Sequence, residues 1–183
     1  KTGQFVVLIT NEKGERIPLT LADWDREKGT IKLIFQEIGY STKKLGQMNI
    51  NDLLFSVLGP LGKPTKIAKF GTVICVGGCY GIGAVYPIAR ALKQAKNKII
   101  TLLDVKANYL LYWEDRFKEV SDKIYISSRD SYYNCKDYVP AVLANILKKE
   151  PKVDQVISIG CTYLMYTCAE ATKPLGIKTL VSL

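Results

Sequence analysis

The chain has 183 residues, 48% of them apolar, with a formal net charge of +9, five cysteines and no histidine. That length and apolar content allow one core or two small ones, and the lack of histidine excludes Ser-His-Asp hydrolysis and His-ligated zinc chemistry. The longest apolar runs are strand-length, far short of the ~20 residues of a membrane-spanning helix, so no membrane partner is expected.

The charge is evenly spread: residues 1–70 hold 11 basic and 7 acidic residues, and residues 71–183 hold 15 and 10. A nucleic-acid binder gathers its basic residues into an arm or stripe, so no nucleic-acid partner is expected. Dinucleotide phosphates or an acidic electron-transfer protein suit the charge better. Cys75, Cys79, Cys135, Cys161 and Cys168 are scattered, odd in number and lack a CxxC pair. They suit a reducing, cytoplasmic compartment and supply no zinc or iron–sulfur ligand set, so no metal residue is assigned. No signal peptide is visible, and a chain opening at Lys1 reads as a processed or trimmed product.

In chain order, short β-rich runs come first, at 4–10, 17–21, 30–37 and 53–58, separated by turn signals at 11–14 and 28–29. With no long helix among them, they predict a small antiparallel barrel or sandwich over 1–65. Residues 59–64, Gly-Pro-Leu-Gly-Lys-Pro, read as a connector. From 66 to 183 strands at 72–76, 98–103, 123–127, 155–159 and 179–182 alternate with helical patterns at 82–95, 109–120, 138–149 and 163–173. Five strands joined by crossovers of this length predict an α/β domain: a parallel sheet covered by helices on both faces.

The strongest local signal is Thr72-Val-Ile-Cys-Val-Gly-Gly-Cys-Tyr-Gly-Ile-Gly83, a buried strand ending in glycines and running into a helix. Such a turn brings backbone close to a pyrophosphate at a helix N-terminus, or lets strand and helix pack tightly. The spacing is not GxGxxG, so a standard Rossmann dehydrogenase fits poorly. A second strand-to-helix turn, Ile157-Ser-Ile-Gly160-Cys161, faces the same crevice. Cys161 reads there as a small packing residue in preference to a thiol activated by the helix start. Lys106 suits a ribose or 2′-phosphate, or solvent. Earlier, Arg16-Ile-Pro-Leu-Thr20 offers a guanidinium for phosphate and a hydroxyl for a ring nitrogen, or an exposed pair of Arg16 with Glu15. Gly39, Ser41 and Thr42 form either a phosphate cradle or a capped turn with Ser41 as N-cap.

Together these segments resemble the ferredoxin–NADP reductase superfamily over essentially the whole chain. The likeness is to its small-subunit branch, the NADH-dependent ferredoxin:NADP oxidoreductase alpha subunits or sulfide dehydrogenase subunits, with the electron-transfer subunits of dihydroorotate dehydrogenase as near relatives. Thr2-Gly-Gln-Phe-Val6, Arg16-Ile-Pro-Leu-Thr20, Gly59-Pro-Leu-Gly62, Val76-Gly-Gly-Cys-Tyr-Gly-Ile-Gly83, Val85-Tyr-Pro-Ile-Ala-Arg90 and Leu175-Gly-Ile-Lys-Thr-Leu-Val-Ser-Leu183 carry it. The resemblance implies FAD on the β-domain. Arg16, Pro18, Leu19 and Thr20 would hold the flavin, with Thr20 the catalytic residue tuning its N5. Ile34, Phe35 and Gln36 would contact it along a strand, and Gly39, Ser41 and Thr42 its phosphates. NAD(P)H would lie over Gly77, Gly78, Gly81, Ile82, Gly160 and Cys161.

The implied function is hydride exchange between NAD(P)H and FAD, with electrons passed to a larger flavin and iron–sulfur subunit and a ferredoxin-like acceptor or donor. Service to dihydroorotate oxidation is one alternative. A binding module that kept the fold and lost its cofactors is another. The chain departs from the family pattern at Cys79, Gly83-Ala84, Cys161 and Ser131-Tyr-Tyr-Asn-Cys135, and Cys79 and Tyr80 add bulk near the expected pyrophosphate. Family members also begin a strand or two earlier and continue into a cysteine-rich [2Fe–2S] segment. The chain therefore reads as a trimmed piece with an incomplete barrel, and the cluster is assigned to no residue in it.

Overall fold

In Phe5–Ile9 (β1) alternate residues are buried, the pattern of a strand with one face on a core. A computed structural model describes residues 1–128, 130, 138–150 and 152–182. It divides into two units, Lys1–Lys66 and Ile67–Leu183.

Unit 1 is a four-stranded antiparallel sheet. β2 (Ile17–Asp25), β3 (Thr30–Leu33) and β4 (Ser56–Leu61) join β1 in the order β3-β2-β1-β4, and helix α1 (Tyr40–Gly46) lies between β3 and β4 in sequence. Val6, Leu8 and Leu21 form the core on one face, with Leu19, Trp24, Leu33, Leu45 and Leu54 against them. Two strands differ from the sequence expectation. β3 stops at Leu33, opposite Leu21, where a register shift ends its ladder to β2, so Ile34, Phe35 and Gln36 lie in irregular chain. β4 extends through Gly59, Pro60 and Leu61, which were expected to form the connector, because Leu58 and Leu61 pair with Val7 and Phe5 of β1 across a bulge. Proline is tolerated there because β4 is a sheet edge.

Unit 2 is a five-stranded parallel sheet. β5 (Thr72–Gly78), β6 (Lys98–Val105), β7 (Lys123–Ser128), β8 (Gln155–Ile159) and β9 (Lys178–Val181) lie in the order β7-β6-β5-β8-β9. The helices between them are α2 (Gly81–Gln94), α3 (Glu114–Val120), α4 (Val139–Lys149) and α5 (Thr162–Thr172). β5 reads as one continuous apolar run because both of its faces are covered. Val73 and Cys75 pack with Ile82, Val85, Leu92 and Phe117 of α2 and α3. Ile74 and Val76 pack with Leu143, Ile146 and Leu164 of α4 and α5 on the other face. The expected helix over 109–120 is broken. Asn108–Leu110 is a single 3₁₀ turn, and α3 begins only at Glu114, after Trp113 at φ +62°.

No helix among the described residues is long and apolar enough to cross a membrane. Arg129, the expected turn Ser131-Tyr-Tyr-Asn-Cys135, and Leu183 of the expected last strand lie outside the described residues.

Candidate functional site

From β5 the chain winds through β6 to β7 on one side of the sheet, then crosses over to β8 and β9 on the other. The reversal falls between β5 and β8, and in open α/β sheets ligands bind at the carboxyl ends of the strands at such a point. Gly77 pairs with Ile159 across it, so the turns Gly78–Gly81 and Gly160–Cys161 leave the sheet side by side. The start of α2 presses on the end of β8. A Cβ on Gly81 would stand 2.1 Å from the Ile159 carbonyl oxygen, and one on Gly160 would stand 3.1 Å from the Gly78 carbonyl oxygen. The glycines therefore serve close packing, and that packing brings two backbone turns together at the switch point.

The turn's own amides are partly used. Ile82 N–H donates to the Cys79 carbonyl at 3.3 Å, and Gly83 N–H to the Tyr80 carbonyl at 3.2 Å. The Ile82 side chain is fully buried in the core, because the first helical turn directs it inward against β5, which leaves its backbone as the part of the residue at the turn. Cys161 is exposed at the N-cap of α5, so its reading as a packing residue is corrected. Lys106 is exposed just past β6.

Sequence reasoning missed two residues here. Asp104, next to last in β6, stands opposite Gly78 in the ladder and accepts a hydrogen bond from Ser127 at 2.9 Å. An acidic residue at the end of the strand after a glycine-rich turn was a readable signal. Tyr112 reaches the same turn: its hydroxyl meets the Gly83 amide at 2.9 Å and the Cys79 carbonyl at 3.1 Å. Nothing local in the sequence marks it, because the stretch reads as helix.

In unit 1, strand alternation divides the candidate flavin residues. Leu19 stands opposite Val6 and packs on the core, so its side chain does not share the face of Pro18 and Thr20. Those two pair with Val7 and Phe5, whose other neighbours on β4 are Leu58 and Leu61. The result is an apolar surface carrying one hydroxyl. Leu58 and Leu61 are 44% and 39% exposed, so this face is open. Arg16, just before β2, is exposed, while Ile34 and Phe35 are half-buried and Gln36 is exposed. A separate groove lined by Val6, Leu21, Ile31 and Val57 lies on the core face, and neither Pro18 nor Thr20 lines it.

At α1, Gly39 is the N-cap, the position expected for Ser41. The Thr42 hydroxyl accepts from the Ile38 and Gly39 amides at 3.1 and 3.0 Å and donates to the Gly39 carbonyl at 3.1 Å. Ser41 is buried and donates to the Glu15 carboxylate. Both hydroxyls are engaged, Thr42 within the turn and Ser41 with Glu15, which sets a negative charge beside it. A Cβ on Gly39 would meet only the Thr42 hydroxyl, at 4.0 Å, so the space above the turn is open. Among the described residues no group of three or more His, Cys, Asp or Glu side chains could hold a metal ion.

No family model matches the chain. It is 38% identical over 183 residues to a Thermotoga maritima protein named "Dihydroorotate dehydrogenase B (NAD(+)), electron transfer subunit homolog", covering all of this chain and 64% of that protein. The solved structure of an NADH-dependent reduced ferredoxin-NADP oxidoreductase, reported for flavin-based electron bifurcation, superimposes with a TM-score of 0.91 at 37% identity. It covers all of this chain and 66% of its own. Phthalate dioxygenase reductase aligns with a TM-score of 0.76 at 15% identity, covering all of this chain and 57% of its own, and shows the fold alone. The chain thus spans a little under two thirds of the length of the relatives it matches over its whole extent.

Proposed function

We propose that this chain, similar to proteins named dihydroorotate dehydrogenase B electron transfer subunit and sharing the ferredoxin reductase fold, is the FAD- and NAD(P)H-binding part of an electron-transfer flavoprotein. The observation that carries the reading is the pair of glycine turns at the β5/β8 switch point, where α2 begins. Gly77, Gly78, Gly81 and Gly160 would offer backbone to the pyrophosphate. Asp104 would accept hydrogen bonds from ribose hydroxyls, and its carboxylate disfavours a 2′-phosphate, so NADH is the preferred nucleotide.

The residues of unit 1 fit a flavin ring better than they fit its phosphates. Pro18 and Thr20 sit on an open apolar face shared with Phe5, Val7 and Leu61, which suits a flat heteroaromatic system with one hydrogen-bonding edge. Thr20 would donate or accept at that edge. The hydroxyls of Ser41 and Thr42 and the amides of Ile38 and Gly39 are already bonded, so the phosphate contacts fall to Arg16. Bound here, FAD would supply the exchange of a hydride with the nicotinamide and the release of single electrons. Positioning by the chain serves that chemistry without a histidine. A larger flavin and iron–sulfur subunit and a ferredoxin-like protein are the proposed partners, and the cytoplasm the proposed location.

The test is the visible absorbance of the purified chain loaded with FAD, before and after anaerobic addition of NADH or NADPH. Flavin absorbance that bleaches with NADH supports the reading. A chain that takes up neither FAD nor nucleotide would sink it and favour a binding module that kept the fold. The names of the relatives favour a second reading, service to dihydroorotate oxidation. Reduction of the bound flavin by dihydroorotate when the neighbouring catalytic subunit is co-purified would select it.

A further inference from the structure

A tyrosine hydroxyl has one hydrogen to donate and lone pairs to accept with. That of Tyr112 uses both at a single place. It accepts from the Gly83 amide at 2.9 Å, donates to the Cys79 carbonyl at 3.1 Å, and lies 3.3 Å from the Tyr80 carbonyl. Those groups are the turn that joins β5 to α2. Cys79 within it sits at φ +53°, a left-handed conformation that any residue with a Cβ resists and glycine does not. The Cys79 amide is meanwhile held by the Asp104 carbonyl at 3.2 Å, so the turn is fastened from two sides.

The clasp exists because the chain is not helical where its sequence pattern reads as helix. The break at Leu111–Trp113, with Trp113 at φ +62°, precedes α3 and leaves Tyr112 beside the glycine turn. Trp113 stacks edge-on to Tyr112 with ring centroids 5.8 Å apart, and to Tyr86 of α2 at 5.3 Å. Burial pushes the Tyr112 hydroxyl up to about 12, so it stays protonated, and able to donate, throughout the physiological range.

We propose that Tyr112 is a positioning residue for the nucleotide, holding the Cys79–Gly83 turn in the one shape whose backbone can receive a dinucleotide pyrophosphate. This rests on the reading of that turn as the nucleotide site. Tyr112 need not touch the ligand. Its hydroxyl offsets the cost of a left-handed cysteine, and a glycine at position 79 would remove that cost and make the clasp dispensable.

The experiment is calorimetric titration of the full chain with NADH and NADPH, for wild type, Tyr112→Phe, Cys79→Gly, Cys79→Val and the Tyr112→Phe/Cys79→Gly pair. Phenylalanine keeps the ring and its stacking and loses only the hydroxyl. Tyr112→Phe is expected to weaken the preferred nucleotide about fivefold or more, a loss of about 1 kcal/mol. In the Cys79→Gly background the same loss of the hydroxyl should change affinity by less than about twofold. Cys79→Val, β-branched at a left-handed position, should weaken binding without touching Tyr112. A purely structural tyrosine would lower the unfolding midpoint in both backgrounds, with no rescue of affinity. Wild-type affinity in Tyr112→Phe, or an equal loss of affinity in the Cys79→Gly background, overturns the proposal while leaving the nucleotide site standing. A wild-type chain that binds neither nucleotide overturns the functional reading and this one with it. Hydrogen exchange of the Gly83 amide tests the clasp without any ligand: it should quicken in Tyr112→Phe, and an unchanged rate overturns the clasp itself.

Discussion

A methyl group at Gly81 would lie 2.1 Å from the Ile159 carbonyl oxygen and 2.8 Å from the Gly160 nitrogen. Both obstacles are backbone, so neither can swing aside. Gly81→Ala is expected to destabilise unit 2 by about 3 kcal/mol or to prevent folding, read from urea unfolding. A loss below about 1 kcal/mol would mean that α2 slides freely off β8. The cysteines show the same dependence on surroundings. Burial pushes the Cys75 thiol up to about 12 and the Cys168 thiol up to about 11, whereas Cys161 is exposed. Brief iodoacetamide treatment of the folded chain should therefore alkylate Cys161 and spare Cys75 and Cys168, as peptide mass spectrometry would show. Labelling of Cys75 at the rate of Cys161 would contradict the packing of β5. The glycines and the place of Cys161 beside Gly160 were legible in the sequence. Whether a thiol there points to solvent or to a core was not, because it depends on what α5 packs against.

Over 109–120 the apolar spacing reads as one helix, and the structure breaks it before Glu114. Trp113 takes a left-handed conformation, and its ring stacks on the Arg116 guanidinium, 4.3 Å away, while Arg116 also lies 4.5 Å from the Tyr86 ring. Local propensity lost there to aromatic and cation–π packing on Tyr86 of α2, which is distant in sequence. Trp113→Ala should cost about 3 kcal/mol in urea unfolding, and a loss under about 1 kcal/mol would show that the break is held by something else. At the opposite, amino-terminal ends of β6 and β7, Glu150 follows α4 and is buried, and its carboxylate receives Lys98 and Lys123, each at 2.6 Å. Those lysines open β6 and β7 and hold the Glu150 carboxyl below the usual carboxylate range, Lys123 first and Lys98 next. A group with a depressed folded pKa stabilises above its unfolded value, and the contribution fades as pH falls through the folded value. The stability gap between wild type and Glu150→Gln should therefore be widest at neutral pH and shrink below about pH 4. A gap that does not change between those pH values would show that Glu150 acts only through its shape.

The two units divide the proposed work. Ile67–Leu183 has cores on both faces of its own sheet, so this piece alone is expected to unfold cooperatively and to bind NADH. Within it, Asp104→Ser should cut the preference for NADH over NADPH about tenfold in titration calorimetry, a change of about 1.4 kcal/mol. An unaltered ratio would remove Asp104 from nucleotide choice. The sequence by itself determined the alternation of strands and helices in unit 2, the two glycine turns and the β-rich character of unit 1. Burial periodicity and glycine are local properties, written residue by residue. Only the tertiary structure decided where β3 ends and that Gly59–Leu61 is strand. It also decided that Leu19 faces the core while Thr20 does not, that Ser41 is bonded to Glu15, and that Tyr112 clasps the turn after β5. Each of these depends on a partner brought in from elsewhere in the chain, and the free energy of such a contact exceeds the weak local preference that a sequence displays.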